Sequence, residues 1–561
     1  MSQKKVIGID LGTTYCCVAY INEYGIPEVI PNAEGGRTTP SVVWFDDKRV
    51  VVGQDAKEMA NVHPDYVCSF IKRNMGNDNF TFDVDGVAYT PEHVSSLILR
   101  KLVKDASVFL GYEVNDVVIT CPAYFFVKER EATKRAGEIA GLNVLRIVNE
   151  PTAAAYSYGV KPNETMTNDK FVLVYDLGGG TFDVSIVRIS KDGVDVVCTD
   201  GDHQLGGKDW DDALMQYLAH KFTEETQRKV DPSSDAEFFY DLQQKSESVK
   251  KQLTDRKSVK TKLVYSGHSV QVEIQREQFE QMTEDLLGRT IMLIYSLLKV
   301  ARTKGCTKID QLILVGGSSR MPQVAEKLRK ELSIEPQLFE PDEAVAKGAA
   351  LIGNNLFLKN LLNEKLQPHK TGLTVDNVPA DVLTNVSKQV AAESGYSLET
   401  ISNATKRAKN VSSKTFGITV LDDYDKEGKP VLSVSNLIYR NTPLPAERTE
   451  QYATIADKQK IVLIELVENT CDAPPKGQPE PSINIDDTNA LWSGDLPVQP
   501  DLPIYSPINV TFKIDDDGRL SITALDPASG GKLVKSIPER NTELEINFQK
   551  VTNISRALSV E

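Results

Sequence analysis

The chain has 561 residues, of which 40% are hydrophobic and 25% are charged, so a globular protein of several domains is expected. The formal net charge of -15 argues against a general nucleic-acid-binding surface. The seven cysteines lack CxxC spacing and fit a reducing compartment, and no apolar run reaches membrane-spanning length. Asp10 interrupts the first apolar segment, so no signal peptide is predicted and a cytoplasmic protein without membrane contact is expected.

A strand followed by a glycine turn is predicted twice in the chain. Residues 6–10 form an apolar strand that leads into Leu-Gly-Thr-Thr at 11–14. Residues 171–175 form another, which leads into Asp-Leu-Gly-Gly-Gly-Thr-Phe-Asp at 176–183. Each turn is followed by two further strands. One such turn alone indicates a tight hairpin, whereas a repeat about a domain length apart indicates two similar lobes.

The residue types in these turns suit a polyphosphate. Consecutive glycines let the backbone approach a ligand closely, and successive free N–H groups form a concavity that suits phosphate. The carboxylates at the ends of the turns cannot bind phosphate directly, but they can hold a hydrated Mg²⁺ that does. We therefore predict that two hairpins, one in each lobe, grip a polyphosphate from opposite sides.

Residues 1–355 alternate apolar strands with amphipathic helices, which predicts α/β layers. Between the two glycine turns, residues 117–121 read as a strand and residues 129–141 as an amphipathic helix. Glu150 stands before Pro151 at the predicted start of another helix. Its carboxylate has two open interpretations, a structural cap or a ligand for metal or water.

A third glycine turn occupies residues 311–322, where a strand, paired glycines and a helix that starts with proline follow one another. This order is common in nucleotide-binding loops, although it is a weak signal alone. Gly348 lies among alanines, which predicts a helix packed tightly against another backbone.

Taken together, these motifs resemble the heat-shock protein 70 chaperones, the DnaK family. The resemblance covers residues 1–355 almost continuously and residues 415–540 more loosely. The motifs that carry it are Asp-Leu-Gly-Thr-Thr at 10–14, Pro-Ala-Tyr-Phe at 122–125, Asn-Glu-Pro-Thr-Ala-Ala-Ala at 149–155, Asp-Leu-Gly-Gly-Gly-Thr-Phe-Asp at 176–183, Leu-Gly-Gly at 205–207, Val-Gly-Gly-Ser-Ser-Arg at 315–320 and Pro-Asp-Glu-Ala-Val-Ala at 341–346.

The resemblance implies an α/β actin-like ATPase domain of two ribonuclease H-like lobes, followed by an all-β sandwich that binds substrate. We expect the ATPase at residues 1–355, a helical insert and polar linker at 356–412, the peptide-binding sandwich at 413–545 and a short tail at 546–561. The family's C-terminal helical lid is not expected here, so peptide exchange should be fast.

Residues 356–412 depart from the family pattern. The spacing of apolar residues predicts helices at 379–392 and 397–408, and local packing is the favoured role over a partner surface. The family's linker is leucine-rich, whereas this one is basic and polar. Docking of the linker in the usual groove is therefore not expected, and the standard communication between the domains is in doubt.

For chemistry, the resemblance implies attack of water on the γ-phosphate of ATP, with the following residues. Catalytic roles fall to Lys72, Glu150, Asp176 and Thr181. Phosphate contacts fall to Gly12, Thr13, Thr14, Gly178, Gly179, Gly180 and Thr181. Adenosine contacts fall to Glu247, Lys250, Thr254, Gly316, Gly317, Ser318, Arg320 and Asp342. Mg²⁺, held largely through water, falls to Asp10, Asp176, Asp183 and Glu150.

Two of the implied assignments carry a rival interpretation, and a third position departs from the family. Lys72 is the family's catalytic lysine by position, but beside Arg73 the sequence alone favours a solvated charge. Pro122 and Arg146 match residues that relay the nucleotide state between domains, yet Pro122 also reads as a strand terminator. The family usually has Arg at the position of Lys251, and an ammonium stacks on adenine less well than a guanidinium, so weaker nucleotide binding is predicted.

From residue 416 the apolar residues alternate, which predicts strands at 416–420, 431–434, 459–466, 508–514 and 520–524, with a hairpin turn at 515–518. By alignment, the family's peptide groove is lined by Ile418, Val420, Leu421, Val462 and Ile464. For Ile418 and Ile464, a place in the sandwich core is an equal alternative. The proline-rich residues 471–507 are expected to form a surface loop.

The function expected is that of an ATP-dependent chaperone that hydrolyses ATP and binds extended hydrophobic segments of unfolded proteins. Its cofactors are ATP or ADP and Mg²⁺, with K⁺ as a further candidate. Its partners are unfolded clients, a J-domain co-chaperone and a nucleotide-exchange factor. The alternatives are an ATP-binding adaptor with weak or no hydrolysis and, ranked lower, a sugar-kinase-like phosphotransferase.

Overall fold

The computed structural model describes residues 5–159, 169–191, 193–227, 235–367, 373–405, 407–470, 485–516, 518–537 and 542–561. In that part of the chain, no helix is long and apolar enough to cross a membrane.

The first lobe is built on a sheet with the strand order β11-β10-β1-β2-β3, to which β4 adds beside β2. A smaller sheet, β6-β5-β7, and the hairpin β8-β9 extend it. The elements of this lobe are β1 (Ile7–Asp10), β2 (Tyr15–Ile21), β3 (Pro27–Val29), β4 (Thr39–Pro40), β5 (Val42–Asp46), β6 (Arg49–Val52), α1 (Gln54–Met59), β7 (Val67–Ser69), β8 (Phe82–Val84), β9 (Val87–Tyr89), α2 (Pro91–Leu110), β10 (Asp116–Cys121), α3 (Val127–Ile139), β11 (Asn143–Asn149) and α4 (Glu150–Gly159).

The second lobe is built on a sheet with the order β18-β17-β12-β13-β14. Helices α5 to α9 cover its outer face around one apolar core. Its elements are β12 (Lys170–Leu177), β13 (Phe182–Ser190), β14 (Gly193–Asp202), α5 (Gly207–Thr226), α6 (Ala236–Asp255), β15 (Ser258–Tyr265), β16 (His268–Gln275), α7 (Arg276–Met282), α8 (Glu284–Thr303), β17 (Gln311–Val315), α9 (Pro322–Leu332), β18 (Pro336–Leu338) and α10 (Ala344–Leu366).

The two large sheets have matching topology. In each, three consecutive antiparallel strands are followed by two parallel strands on the side of the first. This agrees with the repeat predicted from the glycine turns. Helices α4 and α10 lie between the sheets and share one core with them.

Helices α4 and α10 approach each other closely at Gly348. A Cβ atom at this position would lie 1.8 Å from the carbonyl oxygen of Ala153, which no side chain tolerates. The tight packing predicted for Gly348 is therefore present.

The insert forms helices α11 (Ala380–Ser394) and α12 (Leu398–Ala404), which pack on α10 through Val386, Val390 and Ile401. Ser397 caps α12 by accepting a hydrogen bond from the Thr400 N–H. The prediction that the second helix runs to residue 408 is wrong, because the chain turns at Thr405 and forms strand β19 (Arg407–Lys409).

Strand β19 pairs in parallel with the edge strand β14 of the second lobe. The polar linker therefore has a docked position at the edge of the second lobe. That it does not use the family's usual groove stays a prediction. A strand is held through its backbone, and backbone hydrogen bonds need no leucines.

The C-terminal part contains two antiparallel sheets, β21-β20-β23-β24 and β22-β25-β26-β27, which enclose a shared apolar core and are called the sandwich below. The turn between β25 and β26 is closed by hydrogen bonds from the N–H groups of Asp515 and Gly518, as predicted. The strands are β20 (Phe416–Tyr424), β21 (Pro430–Ile438), β22 (Ala446–Ala453), β23 (Ile461–Asn469), β24 (Thr488–Pro497), β25 (Pro507–Ile514), β26 (Leu520–Leu525) and β27 (Lys532–Ile537).

Strand β24 corrects the prediction of a surface loop at 471–507. The strand pairs along the whole of β23, whereas residues 471–484 lie outside the described residues. This strand was missed because strands were predicted from alternating apolar side chains, and Gly494 and the prolines around it interrupt that alternation.

The last residues, where a short tail was expected at 546–561, form helix α13 (Thr542–Ala557) and strand β28 (Ser559–Val560). Phe548 is buried against His93 of α2, with 4.4 Å between ring centroids, and β28 pairs with β6. Phe548, Val551, Ile554 and Leu558 are spaced three to four residues apart, which was the sequence signal for this helix.

Candidate active site

A cleft of about 660 Å³ lies between the two lobes, within the range of small-molecule sites. Its wall contains nearly every residue predicted to contact nucleotide. From that set the lining contains Asp10, Gly12, Thr13, Thr14, Lys72, Glu150, Asp176, Gly178, Gly179, Thr181, Glu247, Lys250, Lys251, Thr254, Gly316, Gly317, Ser318, Arg320 and Asp342. Gly180 and Asp183 lie beside the cleft rather than in its wall.

The two predicted glycine turns face each other across this cleft. A Cβ atom on Gly179 would lie 2.0 Å from Thr14 Oγ1, and one on Gly180 would lie 2.3 Å from Thr13 Cγ2. Only glycine permits this approach. The backbone N–H groups and threonine hydroxyls of both turns therefore converge, and this donor set fits phosphate oxygens.

Lys72 and Glu150 form a buried ion pair at the cleft, with 2.6 Å between Lys72 Nζ and Glu150 Oε1. Lys72 lies in a 3₁₀ turn after β7, and only 4% of its side chain is exposed. The interpretation of Lys72 as a solvated charge is therefore wrong. Glu150 begins α4 and lines the cleft, and its two interpretations, as a cap and as a ligand for metal or water, stay predictions.

Three buried aspartates surround this pair. Burial, and then the charge of Glu150, raises the pKa of Asp10 to about 7 and that of Asp183 to about 8. The same causes raise the pKa of Asp176. Burial lowers the pKa of Lys72, but the charges of Glu150 and Asp10 outweigh this and raise it. A cation placed among these carboxylates would stabilise their charged forms.

Among the described residues, no group of three or more His, Cys, Asp or Glu side chains is close enough to ligate a metal directly. Asp183 is engaged by the backbone N–H of Tyr124 at 3.1 Å, and Asp10 accepts a hydrogen bond from Thr120. Such an arrangement fits Mg²⁺, which keeps several waters and takes few protein ligands beside phosphate.

The opposite end of the cleft is formed by α6 and the third glycine turn. Lys250 is buried and donates to the Gly207 carbonyl at 2.8 Å and to Asp211 at 2.7 Å. Arg320 pairs with Asp342 across the turn. Lys250 is therefore fixed in the wall of the cleft by two contacts to α5, whereas the Arg320–Asp342 pair is exposed and can contact a ligand.

Tyr15 is a cleft residue that the sequence reasoning missed. Its hydroxyl accepts hydrogen bonds from Lys57 and Lys251 and donates to Glu247, which links the first lobe to α6 of the second. The ammonium of Lys251 also lies 4.7 Å from the Tyr15 ring centroid. Burial raises the pKa of Glu247, but the charges of Lys57 and Lys251 outweigh this and lower it to about 2. Nothing local in the sequence signals this contact.

The two predicted relay residues lie apart from the cleft. Pro122 is buried and starts the turn after β10. It therefore also terminates the strand, which was its alternative interpretation. Arg146 lies on β11 and lines a small cavity with Gly518 and Arg519 of the sandwich. Arg130, which was not predicted, joins them: it donates to Asn149 at 2.5 Å and lies against Gly518.

The predicted groove residues divide into two sets. Ile418 and Ile464 are 3% exposed and belong to the sandwich core, which is the alternative considered for them. Val420, Leu421 and Val462 are half-buried. Strands β20 and β23 pair only at residues 416–418 with 466–468, so their facing edges are not paired to each other beyond Ile418 and Leu466.

The fold and cleft define a two-lobed nucleotide-binding protein with an attached sandwich. Residues 6–412 match the family model described as Hsp70 protein. The chain is 37% identical over 540 residues to the chaperone protein DnaK of two strains of Halobacterium salinarum, covering 94% of this chain and 74% of each relative. The chain belongs to the Hsp70 family of ATP-dependent chaperones.

Proposed function

We propose that this chain hydrolyses ATP in the cleft between its lobes and couples hydrolysis to binding of extended apolar peptide by the sandwich. The observation that carries the proposal is the buried Lys72–Glu150 pair beside two opposed glycine turns. We further propose that the two lobes together form an actin-like ATPase domain. The matching topology of their two large sheets supports this proposal.

In the proposed reaction, Gly12, Thr13 and Thr14 hold phosphate oxygens from one lobe. Gly178, Gly179, Gly180 and Thr181 do so from the other. The ammonium of Lys72, fixed by Glu150, lies near the γ-phosphate and the attacking water. Asp10, Asp176 and Asp183 would hold Mg²⁺ through its waters, and the bound ion would neutralise charge on the phosphates.

The proposed peptide site lies where β20 and β23 separate. Edges that are not paired to each other can take an extended segment through backbone hydrogen bonds. Val420, Leu421 and Val462 offer half-buried apolar surface beside these edges. Unfolded clients, a J-domain co-chaperone and a nucleotide-exchange factor are the partners proposed, and the free cysteines of the described chain support a reducing, cytosolic site of action.

Single-turnover hydrolysis of ATP, with and without an apolar peptide, tests the proposal. Lys72→Met should lower the rate about 100-fold or more, because the charge beside the γ-phosphate is lost. Lys101→Met is the matched control, since Lys101 is equally buried at 4% and paired with carboxylates, but lies on α2 away from the cleft. Equal rates for both variants, or stable ATP with the wild-type chain, would refute the proposal.

A further inference from the structure

A second cavity lies on the first lobe, where helix α13 packs against it. Its volume is about 380 Å³, which is within the range of small-molecule sites. The lobe contributes the hairpin β8-β9 and the start of α2, and α13 forms the opposite wall. The described residues that line this cavity do not line the cleft between the lobes, so the two are separate sites.

The body of the cavity is apolar. Val87 and Ala88 of β9 line one side, and Phe548, Val551 and Ile554 of α13 line the other. The three residues of α13 are spaced three apart, so they lie along one face of the helix. A flat aromatic ring suits such a space, because both of its faces leave water when it binds.

His93 joins the two walls of the cavity. It is fully buried, and the Thr90 N–H donates to its Nδ1 atom at 3.2 Å, so Nε2 carries the ring proton. Nε2 lies 3.2 Å from the carbonyl oxygen of Phe548 and 3.1 Å from Thr552 Oγ1, both on α13. Both ring nitrogens are engaged with the protein, so His93 holds α13 in place and does not serve as the polar contact for a ligand.

Glu92 offers that polar contact. It lines the cavity and is 3% exposed. Arg135 Nη1 lies 3.7 Å from Glu92 Oε1, close enough for an ion pair that favours the charged carboxylate. A carboxylate has about four acceptor positions on its two oxygens, so it can also accept a hydrogen bond from a ligand.

The other charged residues of the lining do not select a charged ligand. Asp78 and Lys550 are both exposed and carry opposite charges. A surface charge of either sign is well hydrated and weakly felt by a bound molecule. The lining therefore favours a neutral molecule with one hydrogen-bond donor for the buried carboxylate.

We propose that this cavity is a binding site for small neutral aromatic molecules that carry an N–H donor. The ring lies against the apolar face of α13, and the N–H donates to Glu92. Because α13 supplies one wall, the site exists only while α13 is packed on the lobe, and a bound molecule stabilises this attachment. The inference goes beyond the proposed function and does not depend on ATP hydrolysis.

Methyl NMR of the full chain, titrated with indole, tests the inference. The control ligand is 1-methylindole, which has the same ring system without the donor. Indole should shift the methyl resonances of Val87, Val551 and Ile554 until they saturate. The dissociation constant of 1-methylindole should be about tenfold higher, because a hydrogen bond to a charged acceptor is lost.

Variants of both walls locate the site. Ala88→Trp on β9 and Val551→Trp on α13 should each remove the saturable shifts, because the new side chain occupies the cavity. Ala33→Trp is the matched control, since Ala33 is an exposed alanine of the first lobe outside the cavity wall, and it should bind indole as the wild type does.

Hydrogen exchange tests the link to α13. The Val52 amide donates to the Glu561 carbonyl, which follows α13 and β28, so its exchange reports release of this segment. At about ten times its dissociation constant, indole should slow this exchange about tenfold.

Three results would overturn the inference. The first is the absence of saturable shifts at the cavity methyl groups, or their persistence in both tryptophan variants. The second is equal affinity for indole and 1-methylindole. The third is exchange of the Val52 amide that indole leaves unchanged. Failure of ATP hydrolysis would refute the proposed function and leave this inference standing.

Discussion

At the scale of single residues, burial separates functional charges from surface charges in this chain. Lys72 and Lys414 each appear in the sequence as one of a run of polar residues, yet both are almost fully buried. The carboxylate that pairs with Lys72 is 78 residues away, and the carboxylates nearest Lys414 lie on β23, α3 and β14. Burial has opposite outcomes at the two sites: the charges of Glu150 and Asp10 outweigh it and raise the pKa of Lys72, whereas burial lowers the pKa of Lys414 to about 7.

Lys251 gives a prediction at this scale. Its ammonium is held by the Tyr15 hydroxyl at 2.9 Å and by Glu247 at 2.7 Å, so it is only partly available to a nucleotide base. Lys251→Arg should bind ATP and ADP about three- to tenfold tighter, because a planar guanidinium can keep a hydrogen bond and also stack. Isothermal titration calorimetry measures this. Lys257→Arg, an exposed site outside the cleft wall, should leave affinity unchanged; equal affinities for all three proteins would contradict the prediction.

The sequence was informative where chemistry depends on consecutive residues. The turns at 11–14 and 176–183 could be predicted because glycines stand beside aspartates in the sequence. That the two turns face each other across a cleft could be predicted from the internal repeat. The sequence did not predict the contacts of Tyr15, Arg130 and Lys414. Each of these contacts joins residues that are far apart along the chain. Lys72 could be assigned only through the family resemblance.

At the scale of elements, backbone pairing explains what side-chain patterns missed. Strand β19 has a polar sequence, and strand β24 contains glycine and is flanked by prolines. Each of them is held by pairing with a neighbouring strand. Helices α11 and α12 were predicted from apolar spacing, because their buried faces are formed by side chains. The spacing of apolar residues therefore predicts elements that are held by buried side chains. It does not predict elements that are held mainly by backbone hydrogen bonds.

The contact between α4 and α10 gives a prediction at this scale. Gly348→Ala should destabilise the chain by about 2–3 kcal/mol, since the added methyl group collides with the Ala153 carbonyl and forces the helices apart. Thermal unfolding measures this as a lower midpoint.

Gly288→Ala is the matched control, because Gly288 is also helical, on α8, and its added Cβ would meet no atom within 4 Å. Its midpoint should rise slightly, as alanine favours a helix over glycine by about 0.5–1 kcal/mol. A Gly348→Ala midpoint equal to that of Gly288→Ala would show that the helices are not packed as described.

At the scale of the whole molecule, the sandwich is attached to the lobes through both of its ends. Strand β19 joins the second lobe ahead of it, and α13 with β28 joins the first lobe behind it. Arg100 and Lys104 of α2 donate to the carbonyls of Ser555, Leu558 and Val560. The C-terminal attachment therefore combines a buried aromatic residue, backbone pairing and hydrogen bonds from α2.

Phe548 gives a prediction at this scale. Phe548→Ala should release α13 and β28, because a buried ring and its packing contribute about 3–5 kcal/mol. Hydrogen exchange at the Val52 amide, which donates to Glu561 at 3.0 Å, should then accelerate. Phe109→Ala, at a ring that is 49% exposed on the same lobe, is the control and should leave Val52 protected; unchanged exchange in Phe548→Ala would contradict the prediction.

Attachment at two points changes how far a partial opening can go. When one attachment breaks, the other keeps the sandwich within a short radius of its seat, and the lost contact can re-form as an intramolecular event. Tethers of this kind correspond to local concentrations of about millimolar. Excursions of the sandwich should accordingly be brief and self-correcting, and full separation would require both attachments to be lost within the lifetime of a single excursion.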